Sequence, residues 1–249
     1  MATIPLQEPV YRGKPGPLFF AAGFRPFFLF AGIQAALALP LWLVLYTGGL
    51  TLNLPFTPVV WHGHEMVFGF AAAAVGGFLL TAVPNWTNTH HVSGRPLMVL
   101  FGLWLAGRLA FTLSGMLPPL VVAAADLSYI PFLAVLLAKP LIAAGKARNV
   151  AFLPVLALFL VADGTVHAGI FLHVGDPMRG VYLGMAVLLV MIAIVGGRII
   201  PSFTQNWLRM QGRPVELRPI GWIEKGGAVA SVLIAGALTA TAPASPAAG

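Results

Sequence analysis

Long apolar runs separated by short polar connections dominate this chain of 249 residues. A window of about 19 residues, close to the length of helix that crosses a bilayer core, finds seven such runs. They lie at Pro26–Thr47, Val60–Val83, Pro96–Leu113, Pro118–Ala138, Val150–Leu172, Val181–Ile200 and Gly221–Ala240. We therefore predict an all-α fold, a polytopic transmembrane helix bundle of about seven spans whose main partner is the lipid bilayer.

The composition also indicates a membrane protein, and it limits the kinds of metal site that the chain can form. Hydrophobic residues make up 59% of the chain and charged residues only 8%, whereas roughly a quarter of the residues in an ordinary soluble domain are charged. The chain has no cysteine, which excludes disulfides, thiolate zinc sites and thiolate-ligated iron–sulfur clusters. Any bound metal must therefore take nitrogen, oxygen or thioether ligands.

The basic residues that connect the runs are distributed unevenly. Arg179 is alone on one side of the predicted bundle, and ten basic residues lie on the other. The ten are Arg12, Lys14, Arg25, Arg95, Lys139, Lys146, Arg148, Arg209, Arg213 and Arg218. By the positive-inside rule, the N-terminus is predicted to be cytoplasmic and the C-terminus to lie on the outer side. The formal charge of +7 is then a topology signal, and we expect no nucleic-acid partner.

The second run begins with polar side chains that are costly to place in hydrocarbon. Its opening residues are Trp61-His62-Gly63-His64-Glu65-Met66. Such groups bind a ligand or lie in the headgroup layer, and this segment alone favours neither interpretation. On a continuous helix His62 and His64 point about 200° away from each other. One ion would take only one of them unless the first turn is unwound, so we expect two sites, or one ligand and one supporting residue.

The predicted topology brings four of the six histidines to the same leaflet. His62 and His64 lie at the outer end of the second run. His167 lies roughly 8 Å below the outer end of the fifth run, and His173 lies at that outer surface. The other two histidines fall in a cytoplasmic connection, where we expect them to be solvated.

Charged residues inside the runs need partners. Asp163 precedes His167 by four residues, so its carboxylate can hold the imidazole and fix its tautomer; an ordinary intrahelical hydrogen bond is the alternative. Arg108 lies in mid-span, roughly 9 Å from the outer end of its run. Glu65, Asp126 or a bound anion is at a compatible depth to pair with Arg108. A structural salt bridge is its expected role.

The second and sixth runs end in similar motifs. The first copy is Gly76-Gly77-Phe78-Leu79-Leu80-Thr81-Ala82-Val83-Pro84-Asn85-Trp86-Thr87. The second copy is Gly196-Gly197-Arg198-Ile199-Ile200-Pro201-Ser202-Phe203-Thr204-Gln205-Asn206-Trp207. We expect the proline of each copy to end its helix. Because the copies are four spans apart and run the same way, they predict a parallel repeat of four-helix units rather than an inverted transporter repeat.

This repeat sets the predicted organisation of the chain. A cytoplasmic N-terminal segment at residues 1–25 precedes a transmembrane bundle at residues 26–240, and a tail follows at residues 241–249. The first repeat unit covers about residues 18–140; the second, at about residues 149–240, is one helix short. The first run lacks a small-residue cleavage site, so it is predicted to be an anchoring span rather than a signal peptide.

Four stretches of the chain together resemble the NnrS family, bacterial inner-membrane proteins of the nitric oxide response that contain haem and copper. They are Gly23-Phe24-Arg25-Pro26-Phe27-Phe28, the Trp61–Met66 segment, Gly77–Thr87 and Gly196–Pro201. As a set they are specific and cover about Leu18 to Trp207. The resemblance implies a multi-pass inner-membrane protein that acts in nitric oxide metabolism or protects against nitrosative stress. Family members are usually longer and have more spans, so we expect an N-terminal part of the family pattern or a short relative.

The resemblance also implies His62 and His64 as candidate haem or copper ligands, with His167 as a candidate on another helix. Depth and side-chain chemistry add Met66 and His173 as candidate metal ligands, Arg108 as a further haem contact, and Glu65 and Asp163 as supporting residues. His62 and His167 would form an axial haem pair. Copper would take His64 together with the thioether of Met66. Nitric oxide is the small ligand that the resemblance implies.

Two other functions remain open on the sequence. A transporter or export component would use the intramembrane charges of Arg108, Asp126 and Asp163 together with the four-span repeat. A membrane scaffold would require only that these polar groups satisfy one another. The sequence shows neither an electron donor nor a proton path, so it assigns no reaction.

Overall fold

A computed structural model describes residues 17–213, together with residues 230, 236 and 237. Helices account for most of this part of the chain, and it contains no strand. The helices are α1 (Phe24–Tyr46), α2 (Pro58–His64), α3 (Ala72–Thr87), α4 (Arg95–Thr112), α5 (Pro119–Leu127), α6 (Tyr129–Ala143), α7 (Ala147–Val150), α8 (Phe152–Phe171) and α9 (Pro177–Met210), with a 3-10 turn at Leu18–Phe20 and a π-helical segment at Glu65–Ala71. The all-α prediction is confirmed.

Within the described part of the chain, five helical stretches are long and apolar enough to cross a membrane. They are Phe24–Tyr46, Pro58–Thr87, Pro119–Ala143, Phe152–Phe171 and Pro177–Met210. The third run of the sequence forms the 18-residue helix α4, which is not among the five because its arginines lower its hydropathy. The seventh run lies outside the described residues, apart from three positions. The chain is thus a multi-pass membrane protein, and the count of seven spans stays a prediction.

The predicted division into repeat units is not tested by these helices. Residues 1–16 and the tail at 241–249 lie outside the described part. The two motif copies do meet, because the Arg198 guanidinium lies 5.2 Å from the centre of the Trp86 ring. The expectation that proline ends each helix was wrong, since Pro84 lies inside α3 and Pro201 inside α9. Within a bundle, neighbouring groups can satisfy the carbonyls that a proline leaves free.

The continuous stretch from α2 through the π-helical segment to α3 occupies the centre of the bundle. It packs against α1, α4, α6 and α9. In its most apolar part 56% of the residues are buried, against 17% for the corresponding part of α1. Polar residues at its head are therefore carried into the protein interior rather than toward lipid.

The π-helical segment is stabilised by side chains from two other helices. The Trp104 indole N–H donates to the Gly69 carbonyl at 3.0 Å, and the Tyr129 hydroxyl donates to the Ala72 carbonyl at 3.2 Å. A π-turn takes in an extra residue and frees backbone groups, which these donors satisfy. Gly76 leaves room for the Tyr129 hydroxyl, which lies where a β-carbon would otherwise stand. Tertiary contacts thus hold a turn that helix propensity alone would not select.

Candidate metal centre

Four side chains from three helices converge in the interior of the bundle. His64 ends α2, Asp126 lies near the end of α5, and Asp163 and His167 lie on α8. Each offers one potential ligand atom, and these four atoms all lie within 4.8 Å of one another. We call these four residues the His/Asp cluster.

Imidazole–carboxylate contacts within the cluster cross between helices. His64 Nε2 lies 3.0 Å from Asp126 Oδ2 and 3.0 Å from Asp163 Oδ1. His167 Nε2 lies 2.9 Å from the same oxygen of Asp126. Its distance to Asp163 Oδ1, four residues earlier on α8, is 3.9 Å, too long for a hydrogen bond. The expected pair within α8 is thus replaced by pairs that join α2, α5 and α8.

The cluster is almost completely removed from solvent. The four side chains belong to residues between 0% and 4% exposed. Buried carboxylates and imidazoles are stable only when they are paired or bind a metal. Here two acidic and two imidazole groups face one another, which is the kind of donor set that a cation would complete.

The geometry of the cluster fits one small metal ion. Ligand bonds of about 2.0–2.2 Å in a tetrahedral arrangement place the ligand atoms roughly 3.3–3.6 Å apart. The distances between the imidazole and carboxylate atoms, from 2.9 to 3.9 Å, span this range, and all pairs of ligand atoms lie within 4.8 Å. Imidazole nitrogen together with carboxylate oxygen suits iron, copper(II) and zinc. The cluster can therefore hold a divalent transition-metal ion after small shifts of its side chains.

A second layer of charge lies behind Asp126. Arg108 donates through Nη1 to Glu65 Oε1 at 3.0 Å and through Nη2 to Asp126 Oδ1. Gln34 on α1 donates to the other oxygen of Glu65. Because Arg108 takes one oxygen of Asp126, the other oxygen is left facing the two imidazoles. The sequence left Glu65, Asp126 and a bound anion open as partners of Arg108, and the structure pairs it with both carboxylates.

Aromatic rings fix the planes of both imidazoles. Phe111 stacks on His64 with ring centres 3.6 Å apart and an interplanar angle of 15°. Phe171 stacks on His167 at 5.8 Å. Among the described residues, no hydrogen-bond acceptor meets the Nδ1 atom of either ring, although Glu65 Oε1 lies 3.5 Å from that of His64. Stacking, with only weak support from Glu65, therefore sets the ring orientations.

Two glycines make room for the charged groups. A β-carbon on Gly107 would lie 2.8 Å from Asp126 Oδ1 and 3.0 Å from its Cα. A β-carbon on Gly69 would lie 3.0 Å from Glu65 Oε2 and 3.1 Å from Arg108 Nη1. All four distances are shorter than ordinary contacts, so larger residues would displace the carboxylates.

Other candidates from the sequence lie elsewhere. His62 stacks on Trp42 of α1 with ring centres 4.3 Å apart, so it points away from His64 as the helical spacing predicts. Met66 is partly buried and packs against the apolar core. His173 is exposed in the turn between α8 and α9, where its φ is +56°. The structure thus brings His64, His167 and Asp163 together in the cluster. It leaves His62, Met66 and His173 outside.

Asp126 is the residue whose ligand position sequence reasoning missed. The sequence indicated its depth and its pairing with Arg108, but not that its second oxygen faces two imidazoles. Its signal is that it is the one carboxylate in the fourth apolar run. A buried acid in such a run marks a functional site by default.

Comparison with known proteins adds one match. The model of a family described as NnrS protein matches residues 18–249 of the chain. No curated protein and no solved structure matches it.

Proposed function

The chain belongs to the NnrS family, membrane proteins of the nitric oxide response, and from this premise we propose that it holds a redox-active transition-metal ion at the His/Asp cluster. The observation that carries the proposal is the convergence of four buried ligand atoms within 4.8 Å of one another. A bound copper or iron ion supplies the redox chemistry with which nitric oxide reacts. The chain itself supplies two imidazoles and two carboxylates in a site closed to bulk water.

Each residue of the site then has a definite task. The imidazoles of His64 and His167 would hold the ion through Nε2, since these atoms point into the cluster. Asp126 would offer Oδ2, because Arg108 holds its other oxygen. Asp163 would offer the fourth ligand atom. Phe111 and the other apolar neighbours keep water out, which strengthens the electrostatic interactions inside.

Haem, which the family resemblance implies, does not fit between the two clustered histidines. Their Nε2 atoms lie 3.0 Å and 2.9 Å from the same Asp126 oxygen, so a carboxylate occupies the place where a porphyrin plane would lie. Haem ligation therefore stays a proposal for His62, which lies outside the cluster. A Soret band in the purified protein that disappears in His62→Ala supports it.

Metal analysis of the purified protein tests the proposal. Protein extracted in mild detergent should carry about one copper or iron ion per chain, and His64→Ala and His167→Ala should lose it. His90→Ala is the control, because it removes an exposed imidazole in the connection between α3 and α4, outside the cluster. With copper(II) bound, electron paramagnetic resonance should show coupling to two imidazole nitrogens. Equal metal content in His64→Ala and His90→Ala contradicts the proposal.

A second function, transport, is favoured by one observation. Arg108 and Asp126 form a buried ion pair, and Asp163 lies in the same network through His64. Such a network could carry an ion across the bundle rather than keep it. Uptake of the metal into proteoliposomes that is abolished in Asp163→Asn supports transport. Metal that stays bound to the protein without crossing the bilayer supports the first proposal, in which the His/Asp cluster keeps the ion.

A further inference from the structure

We infer that Glu65, by pairing with Arg108 and cancelling its charge, preserves the preference of the His/Asp cluster for a divalent over a monovalent cation. This inference rests on the proposed function of the cluster as a metal site. It makes Glu65 a specificity-determining residue, although its oxygens face Arg108 and Gln34 rather than the place of the ion.

The pair is held in a fixed position. Glu65 is the first residue of the π-helical segment, and both of its oxygens accept hydrogen bonds, from Arg108 and from Gln34. Arg108 in turn bonds Asp126, so its charge lies directly behind a ligand. Neither group can turn toward solvent, since Glu65 is 1% and Arg108 is 6% exposed. The two charges are therefore permanent parts of the site.

The net charge of the site favours a divalent over a monovalent ion. Asp126 and Asp163 contribute two negative charges, and the charges of Glu65 and Arg108 cancel. A divalent ion bound by neutral imidazoles leaves the buried site neutral. A monovalent ion leaves one uncompensated negative charge in a region of low dielectric constant, which is unfavourable.

Coulomb's law gives this preference a measurable signature. The energy between a fixed charge and an ion is proportional to the charge of the ion. When one fixed negative charge is removed, the fold-loss in affinity for a divalent ion is the square of that for a monovalent ion. With an effective dielectric constant of about 20 and a separation of roughly 7 Å, the losses are about 2,500-fold and about 50-fold.

The test compares Zn²⁺ and Ag⁺, two cations that do not change oxidation state during the measurement. The whole protein in detergent is titrated with each ion, and the ratio of the two dissociation constants is compared between variants. The absence of cysteine removes the usual thiol sites for silver. Glu65→Gln keeps the size of the side chain and removes its charge. Asp176→Asn is the matched control, because it removes a carboxylate at the N-terminus of α9, outside the cluster.

In Glu65→Gln we expect the preference for Zn²⁺ over Ag⁺ to fall by at least tenfold, while Asp176→Asn keeps it. If Glu65→Gln loses the same factor in affinity for both ions, the role of Glu65 is purely structural and the inference is overturned. An unchanged ratio of the two dissociation constants overturns it as well. If the wild-type protein binds neither ion, the proposed metal site fails as well. If it binds Zn²⁺ and the preference does not change, the metal site stands and only this inference fails.

Discussion

A single methyl group added to α4 should disrupt the His/Asp cluster. In Gly107→Ala the new β-carbon would lie 2.8 Å from Asp126 Oδ1 and 3.0 Å from Asp126 Cα. The second of these atoms belongs to the backbone, so rotation of the carboxylate alone cannot relieve the clash. Helix α5 must therefore move away from α4, and Asp126 must move with it.

The size of the effect follows from these distances. Ordinary contacts begin at 3.4 Å, so Oδ1 must retreat by at least 0.6 Å. Metal–ligand distances tolerate only about 0.2 Å of change, so affinity should fall by about 10- to 100-fold, as it does when a supporting contact of a metal ligand is lost. Overpacking should also lower the stability of the bundle by about 1–3 kcal/mol.

Gly102→Ala on the same helix is the matched control. A β-carbon on Gly102 meets no atom within 4 Å, so this variant should keep wild-type metal affinity. Both variants are titrated with Zn²⁺ and melted in the same detergent, with and without the ion. If Gly107→Ala binds Zn²⁺ as tightly as Gly102→Ala, the packing of α5 against α4 does not position Asp126, and the reasoning fails.

Three further predictions use different parts of the structure. Trp104→Phe removes the side-chain donor to the Gly69 carbonyl, which keeps only the Ala72 N–H. The free energy of unfolding should therefore fall by about 0.5–1.5 kcal/mol and lower the melting temperature; an unchanged melt contradicts this role of the indole. Phe111→Ala removes the ring stacked on His64. It should lower the free energy of unfolding by about 3–5 kcal/mol and weaken metal binding. Metal binding as tight as in the wild type would show that the ring does not orient the imidazole. His173→Cys gives a single cysteine in the turn between α8 and α9, which should react with impermeant maleimide added to intact spheroplasts; labelling only after lysis contradicts the predicted topology.

Much of the fold could be predicted because apolar length alone defines a membrane helix. The first run, Pro26–Thr47, became α1 at Phe24–Tyr46, and the fifth, Val150–Leu172, became α8 at Phe152–Phe171. The sixth run was predicted to end at Ile200, yet α9 continues to Met210. Proline was given too much weight there, since its missing donor is tolerable in a long helix packed against others.

The site was only partly predictable. The depth of a residue in the membrane follows from its position along an apolar run, whereas the rotation of each helix about its axis follows from packing. Counting residues along the runs placed His64 and His167 in the same leaflet, and it placed Asp126 at the depth of Arg108. Which face of α5 turns inward depends on its contacts with α4 and α8, which no local pattern records. The π-helical segment is likewise invisible in the sequence, because the donors that stabilise it come from Trp104 and Tyr129 on other helices.

Each clustered imidazole contacts a carboxylate on a different helix, so binding of the proposed ion would be thermodynamically linked to assembly of the protein. An ion that binds only the folded bundle stabilises it in proportion to the logarithm of its free concentration over the dissociation constant. Metal starvation would then loosen the attachment of α2, α5 and α8 to one another and expose the chain to membrane proteases. The abundance of the protein in the cell should consequently follow metal supply even where its synthesis does not change.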